Sequence, residues 1–489
     1  MSSGKMFIDG QWLMSKSGKT RELYNPSNGQ LLGSVSEGNA EDAGMAVDAA
    51  SNAFTAWRRT SPAQRAALLN EAARLVDMRA EEIAQTECAN SGRLLRVCIS
   101  DVATVSKAFR FFAGIIDIPS GQTFNGAANV TTINIREPIG VCGLIIPWNA
   151  PINIASKCIA PALAAGNTIV LKPSSMTPLA TIMIVECLEQ AGFPKGVVNL
   201  VLGSGEVIGT ELGQNEKLGK VTLTGGTETG RSLIRASASN IKKLSLELGG
   251  KSAIMVFDDA DIDLAIDNIM FIIFSSAGQL CVAGTRILVQ DGIYTEFCRR
   301  LVERVNKIRV GPSNLPDTEM GPVISQAQLK RICNYIEIGK REGATLAAGG
   351  NVLTGGIYER GNYVAPTIFT DCGSDMRISR EEIFGPVLAV AKFTDEQEAF
   401  DIANDSIYGL GAGIYTKDSA RSWRFAKEVK AACMWVNTYG TSAGWGSPIS
   451  CLKQSGYSTL LGVEGLEAYM DIKQISFSNS PAKFDWFKG

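Results

Sequence analysis

The sequence predicts an α/β protein with a parallel, doubly wound sheet and more than one domain. Three observations carry this. From residue 139 onward, short apolar strand-like runs alternate with helical patterns, the signature of βαβ units. The expected strand C-termini carry Pro147-Trp148-Asn149, Lys172-Pro-Ser-Ser, Gly203-Ser-Gly and Thr224-Gly-Gly-Thr, and ligands of such sheets bind at those ends. The chain has 489 residues, too many for one ordinary core.

In chain order, residues 40–116 read mostly as helix, with apolar residues at helical spacing from Ala43 to Trp57 and from Ala63 to Val76. Ser61-Pro62 is a cap followed by a first-turn proline. Residues 120–137 alternate like a hairpin. Then come a strand over 139–146, a helix over 151–165, a strand over 168–171, a helix over 178–191, a strand over 197–202 and a short helix over 206–212. A strand over 221–223, a helix over 228–238 and a strand over 243–246 complete this first set. A second αβ set runs from Ala253 to about Asn437, with helices over 261–274 and 294–305 and strands over 414–416 and 434–437. Met470 to Phe477 resembles a further strand, and the glycines at 349–350 and 355–356 mark a surface turn.

Composition narrows the function classes. Hydrophobic residues make up 45% and charged residues 20%, as in a soluble globular protein. Lys plus Arg is 47 against 49 Asp plus Glu, a net charge of −2, so no global attraction to nucleic acid or to an anionic membrane is expected. The N-terminus lacks a secretory h-region and the apolar runs are too short to span a bilayer, so a cytoplasmic location follows by default. The 11 cysteines are scattered, odd in number and without a CxxC pair, which fits reduced thiols rather than disulfides or a zinc site. There is no histidine, which excludes Ser-His-Asp and Cys-His mechanisms and any His-ligated metal. A general base must then be a carboxylate, Lys, Tyr or Cys.

Cys281 follows an apolar run in a weakly polar surround, with Gly278 permitting close approach of a ligand; it is a core thiol or a nucleophile. Glu247 ends a strand ahead of two glycines; it is a solvated strand end or a base. Asn149 precedes a helix; it is a cap or a donor to an oxyanion. Gly225-Gly226 before a helix is a tight βα turn or a diphosphate seat.

Together these segments resemble the aldehyde dehydrogenase superfamily over nearly the whole chain. The matching runs are Pro147-Trp-Asn149, the 160–167 segment Ala-Pro-Ala-Leu-Ala-Ala-Gly-Asn, Lys172-Pro-Ser, Thr224-Gly-Gly-Thr-Glu-Thr-Gly230, Leu246-Glu-Leu-Gly-Gly-Lys251, Gly278-Gln-Leu-Cys281 and Glu381-Glu382-Ile-Phe384-Gly-Pro386. The resemblance implies a Rossmann-like cofactor domain (1–119 and 138–248), an α/β catalytic domain (249–450) and a small β oligomerisation element (120–137 and 451–489). It implies that Cys281 attacks an aldehyde as thiolate, that Asn149 and the Cys281 backbone N–H hold the oxyanion, and that Glu247 activates the water that hydrolyses the thioester after hydride transfer. It requires no metal. NAD or NADP would contact Ile146, Pro147, Trp148, Lys172, Ser174, Ser175, Gly205, Thr224, Gly225, Gly226, Leu248, Gly249, Glu382 and Phe384. Substrate would meet Asn153, Lys157, Leu280 and Val282. The expected partner is a small aldehyde, in a homodimer or homotetramer.

Three departures from the family pattern stand out. Ser175 replaces a Glu that binds the adenine ribose in many NAD-preferring members, which leaves room for a 2′-phosphate beside Lys172. Lys157-Cys158 stands where Trp-Lys is common. Asn153 and Lys157 share a helix face, so the expectation is a cationic tunnel floor selecting an aldehyde with a carboxylate or sulfonate, the alternative being a snorkelling or ion-paired lysine. Ser275-Ser276 lacks the second Arg of the succinic semialdehyde pattern. Finally, Ile449-Ser450-Cys451 replaces Phe-Gly-Gly near the tunnel mouth. Two other readings are a CoA-acylating semialdehyde dehydrogenase, opposed by Glu247, and a non-catalytic relative, opposed by the joint presence of Cys281, Asn149 and Glu247.

Overall fold

A computed structural model of the chain describes residues 4–487 apart from 120, 127, 128, 442, 443, 482, 484 and 485. The elements that carry the site are labelled here in chain order. Two helices, α1 (Ala80–Ser91) and α2 (Leu95–Gly114), follow the helices Ala40–Trp57 and Pro62–Met78. Strand β1 (Val141–Ile145) leads into α3 (Pro151–Ala164) and then β2 (Thr168–Lys172). Strand β3 (Leu218–Thr224) leads into α4 (Thr227–Ala236) and β4 (Lys243–Glu247), and α5 (Ile262–Phe274) begins the second half.

The first sheet has eight strands, with β2, β1, β3 and β4 adjacent in that order and mutually parallel. Every residue of β1 and β2 is buried, which is why they read as unbroken apolar runs rather than alternating ones. Register is what builds the site. Ile145 lies opposite Lys172 on one side and Leu223 on the other, and Thr224 lies opposite Glu247. The four strands therefore end at one level, and their following loops emerge along one edge.

The expected strand over 139–146 is shorter, because the left-handed Gly140 (φ 132°) and the turn toward Pro147 clip both ends. Strands Met6–Ile8 and Gln11–Leu13 add to the outer side of this sheet, and Thr20–Tyr24 pairs with Leu31–Ser36. The sequence reading did not anticipate them; the first two are too short to show a period. Ser61 caps the helix Pro62–Met78 in a reciprocal box with Gln64, as its Ser-Pro signal suggested.

The second sheet has seven strands, with Ala253–Val256 between Arg286–Gln290 and Gly411–Tyr415, all parallel. Each sheet has its own apolar core; α5 packs against the second through Ile266, Ile269 and Ile273. A third sheet joins Gln122–Asn125, Val130–Pro138 and Met470–Ser478, the last pairing antiparallel from Met470–Pro138 to Ser478–Val130. Residues 120, 127 and 128 of the expected hairpin lie outside the described residues. Among the described residues, no helix is long and apolar enough to cross a membrane.

Candidate active site

The site forms where the first sheet's strand ends face the loop after α5. Pro151 occupies the first turn of α3, where a missing N–H costs nothing, so the chain turns sharply after β1. The cap of α3 is Ala150, without a side-chain cap bond, so Asn149 is not a helix cap. Its amide instead donates to the Gln279 carbonyl at 2.9 Å, two residues before Cys281.

Cys281 follows a tight turn. The Gly278 N–H donates to Ile273 at 2.6 Å, closing the end of α5 with φ 70° at Gly278. A Cβ on Gly278 would lie 1.9 Å from the Gly385 carbonyl oxygen, so this turn is pressed onto the backbone after Phe384. Gln279 accepts from the Ile324 N–H at 3.0 Å and fixes the loop from the other side. Leu280 and Val282 flank the half-buried Cys281 and pack against the second core. Burial pushes the Cys281 thiol up to about 12, the charges of Glu247 and Glu382 add to this, and the Val282 N–H and Lys157 oppose it.

Glu247 ends β4 and is 8% exposed. Burial raises its pKa, while hydrogen bonds from Cys451 and Ser458 and the charge of Lys157 pull it back. Cys451 Sγ donates to Oε2 at 2.9 Å and Ser458 Oγ donates to Oε1. The two glycines after Glu247 allow close packing: a Cβ on Gly250 would meet the Cys281 carbonyl oxygen at 2.6 Å. The backbone after Glu247 thus lies directly against the Cys281 backbone.

Lys157 lies on α3, two turns on from its start. Among the described residues its ammonium makes no hydrogen bond and no ion pair. Burial lowers its pKa, and the charges of Asp101, Cys281, Cys158 and Glu247 oppose that. Asn153 shares its face, but its amide is engaged: Nδ2 donates to Asp101 Oδ1 at 2.8 Å. Asp101 also accepts from Arg93, in an ion pair 7% exposed on both sides. Glu87, whose carboxyl burial pushes up to about 8, faces the same pair. Neither Asp101, Arg93 nor Glu87 was singled out from sequence. The available signal was an acid on the apolar face of α2, beside Cys98, Val102 and Val105.

The remaining sequence candidates line the strand ends. Ile146 donates to the Lys172 carbonyl at 2.9 Å, joining β1 to β2 beyond their last pair. The Trp148 and Phe384 rings meet edge to face at 5.2 Å. Lys172 is 3% exposed, burial lowers it to about 8, and Glu37 opposes that. Its ammonium lies 3.9 Å from where a Gly205 Cβ would sit. Ser174 Oγ accepts from the Met176 N–H at 3.2 Å, and Ser175 is half-buried beside it. Leu248 packs on Gly230 of α4. Glu382 accepts from the Gly250 N–H at 3.0 Å, and a Cβ on Gly249 would stand 2.4 Å from its carboxylate.

A dinucleotide fits these residues. The N-cap of α4 is Gly226, with no side chain capping it, and the buried Thr224 hydroxyl has no hydrogen-bond partner among the described residues. Free donors at a helix start are what a diphosphate requires.

The model of the aldehyde dehydrogenase family matches residues 12–475. The chain belongs to the aldehyde dehydrogenase family. It is 42% identical to the betaine aldehyde dehydrogenase of Bacillus subtilis (strain 168) over 491 aligned residues, 99% of each chain. It is 42% identical to an aldehyde dehydrogenase of Emericella nidulans, covering 98% of this chain and 96% of that one. The crystal structure of a Staphylococcus aureus betaine aldehyde dehydrogenase in complex with NAD+ superposes with a TM-score of 0.98 at 39% identity, covering 100% of this chain and 97% of that one. The mixed α/β architecture with parallel sheets is therefore that of aldehyde dehydrogenases, as the sequence motifs implied, and the chain is an enzyme of that kind.

Proposed function

We propose that this aldehyde dehydrogenase oxidises an anionic aldehyde to the acid through a thioester on Cys281, with Glu247 as base and Lys157 as the substrate's counter-ion. The observation that carries the chemistry is the convergence of Asn149 and the Glu247–Gly250 turn on the Cys281 loop. The Cys281 thiol gives its proton to solvent water, and the thiolate adds to the aldehyde carbon. Asn149 Nδ2, which has a second N–H beyond the one on Gln279, and the Cys281 N–H donate to the oxyanion. A nicotinamide dinucleotide, held by Lys172, the Gly225-Gly226 turn and Glu382, would supply the hydride acceptor. Glu247 then takes a proton from water as the water oxygen bonds to the thioester carbon; the C–S bond breaks, the acid leaves and the thiolate returns. NAD and NADP both suit the cradle, because Ser175 puts no negative charge beside Lys172.

Lys157 supports the anionic substrate. It is a half-buried ammonium that makes no hydrogen bond or ion pair among the described residues, and it feels the charges of both Cys281 and Glu247. Such a group disfavours betaine aldehyde, whose trimethylammonium is repelled, although relatives of this chain bear that name. At an effective dielectric of 20, a charge about 5 Å away is worth roughly 3 kcal/mol, or about two hundredfold in kcat/KM at most. The test compares sulfoacetaldehyde and succinic semialdehyde with propanal and betaine aldehyde in wild type and Lys157→Met. The acid-to-neutral kcat/KM ratio should fall about 10- to 100-fold in the variant; an unchanged ratio refutes the anchor.

We also propose a cofactor domain of 1–119 with 138–248, a catalytic domain of 249–450, and self-association as a dimer or tetramer through 120–137 with 451–489. The three-stranded sheet of those segments exposes Phe124, Ile472 and Phe477, which supports that element as the contact. All 11 cysteines are free thiols, which supports a reducing, cytoplasmic compartment.

A further inference from the structure

Glu247 is not a bare carboxylate. Its two oxygens accept from donors on one small doubled-back segment. Ile449–Ser450 pairs antiparallel with Thr459–Leu460, and the Ser450 hydroxyl donates to the Ser458 carbonyl at 2.8 Å, so the chain doubles back on itself. This places Cys451 Sγ and Ser458 Oγ 4.0 Å apart. Between them, Gly456–Tyr457 pairs with Leu246 and Glu247 of β4, which fixes the doubled segment against the strand that carries the carboxylate. Leu248 N–H donates to Ser455 at 2.8 Å and Ser455 Oγ donates to the Gly249 carbonyl at 2.7 Å, so the turn after Glu247 is tied to the same segment. Cys451 is 4% exposed and sits at the third position of the Ile449-Ser450-Cys451 departure, where glycine is usual in the family and offers no side-chain donor.

We propose that Cys451 and Ser458 are positioning residues for the hydrolytic half of the reaction, gripping Glu247 with one donor on each carboxylate oxygen. The proposal rests on Glu247 being the base. Two donors aimed at a carboxylate favour its charged form over the neutral acid. They oppose the burial that favours the neutral acid and so act in favour of the proton-accepting form. They also fix its rotamer, so the water-activating oxygen is held in one place rather than sampled. The other titratable groups facing Glu247 are Lys157, Cys158, Cys281 and Cys433. Of these only Lys157 is cationic, so the grip adds two hydrogen bonds to a single opposing charge. The cost falls on Cys451: burial and the Glu247 charge both raise its pKa, so this thiol stays protonated and remains a donor rather than becoming a second nucleophile.

The test uses the full-length enzyme and p-nitrophenyl acetate, which acylates a cysteine without any dinucleotide. The initial burst of p-nitrophenolate reports acylation, and the following steady rate reports hydrolysis of the thioester. In Cys451→Ala and Ser458→Ala the burst amplitude should match wild type. The acid limb of the steady rate should move to higher pH by about one unit for each donor lost. The sign follows because a base acts only above its pKa, and losing a donor to the anion raises that pKa. Cys451→Ser and Ser458→Thr keep a donor and should restore the limb, which a merely structural role would not require. A limb that stays at the wild-type pH in both alanine variants overturns the proposal. Glu247→Gln separates the two levels: if it leaves the acid limb intact, the base assignment itself fails; if it abolishes the limb while the alanine variants do not shift it, only the grip fails.

Discussion

Gly278→Ala puts a side chain where the nucleophile's turn meets a second backbone. Two penalties can be worked out. At φ 70° an alanine sits in the left-handed region, at a cost of roughly 1–2 kcal/mol. Its Cβ would also lie 1.9 Å from the Gly385 oxygen and 2.6 Å from the Pro386 nitrogen, both backbone atoms with no rotamer to yield. Nor can the opposing segment retreat freely. Gly385 packs on Ile332, the Gln328 amide donates to the Phe384 carbonyl at 2.7 Å, and Arg331 donates to the Glu382 carbonyl at 2.6 Å. Overpacking of this kind costs about 1–3 kcal/mol, so the sum is roughly 2–5 kcal/mol. Cys281 lies three residues on, and relief of the clash requires a shift of about 1 Å, a displacement worth about a hundredfold in rate. Differential scanning calorimetry should show a fall of several degrees in the thermal midpoint, and the p-nitrophenyl acetate burst should slow by about that hundredfold. Gly292→Ala is the control, since a Cβ there meets nothing within 4 Å. Equal midpoints and equal burst rates in the two variants would refute the reasoning.

Three further outcomes are expected. Glu247→Gln removes the strongest charge raising the Cys281 thiol, so alkylation by iodoacetamide should speed up at fixed pH, about tenfold for each pH unit by which the thiol becomes more acidic; an unchanged rate–pH curve contradicts the coupling. Asp101→Ala strands the buried Arg93 guanidinium and should cost about 3–5 kcal/mol by thermal unfolding. It also removes the largest charge holding Lys157 protonated, so the pH above which the acid-to-neutral kcat/KM ratio declines should move lower than in wild type. Ser175→Glu places a carboxylate near Lys172 and should depress kcat/KM with NADP while sparing NAD; equal loss with both cofactors would mean the side chain does not face the ribose.

The architecture was legible because the sheet interior is dry. Strands such as Val141–Ile145 and Thr168–Lys172, buried along their whole length, leave continuous apolar runs that periodic reading detects. The same reading missed Met6–Ile8 and Gln11–Leu13, where three residues carry no period. At the site, Cys281, Glu247 and Asn149 stood out because each sits at a strand or helix boundary marked by Gly or Pro. The partners that tune them did not. Asp101 lies 52 positions from Asn153, and Cys451 lies 204 positions from Glu247, and no local pattern encodes such contacts. Asn153 illustrates the limit most clearly: helix spacing put it beside Lys157, but only the three-dimensional packing reveals that Asp101 already holds its amide.

The pairing of Met470–Ser478 with Val130–Pro138, and of Gly456–Tyr457 with β4, has a consequence for how the protein is made. During synthesis the chain emerges from its N-terminus, and β4 reaches solvent with one flank bare for more than 200 residues. An unpaired strand edge of that sort invites pairing with other chains. The final segment closes it, and the Asn167 amide then anchors the seam through the Tyr469 carbonyl at 2.9 Å. A ribosome stalled before residue 456 would therefore hold a chain with its nucleophile already formed and its first sheet still open. Shortening the tail should reveal itself as aggregation during expression before it appears as lost catalysis.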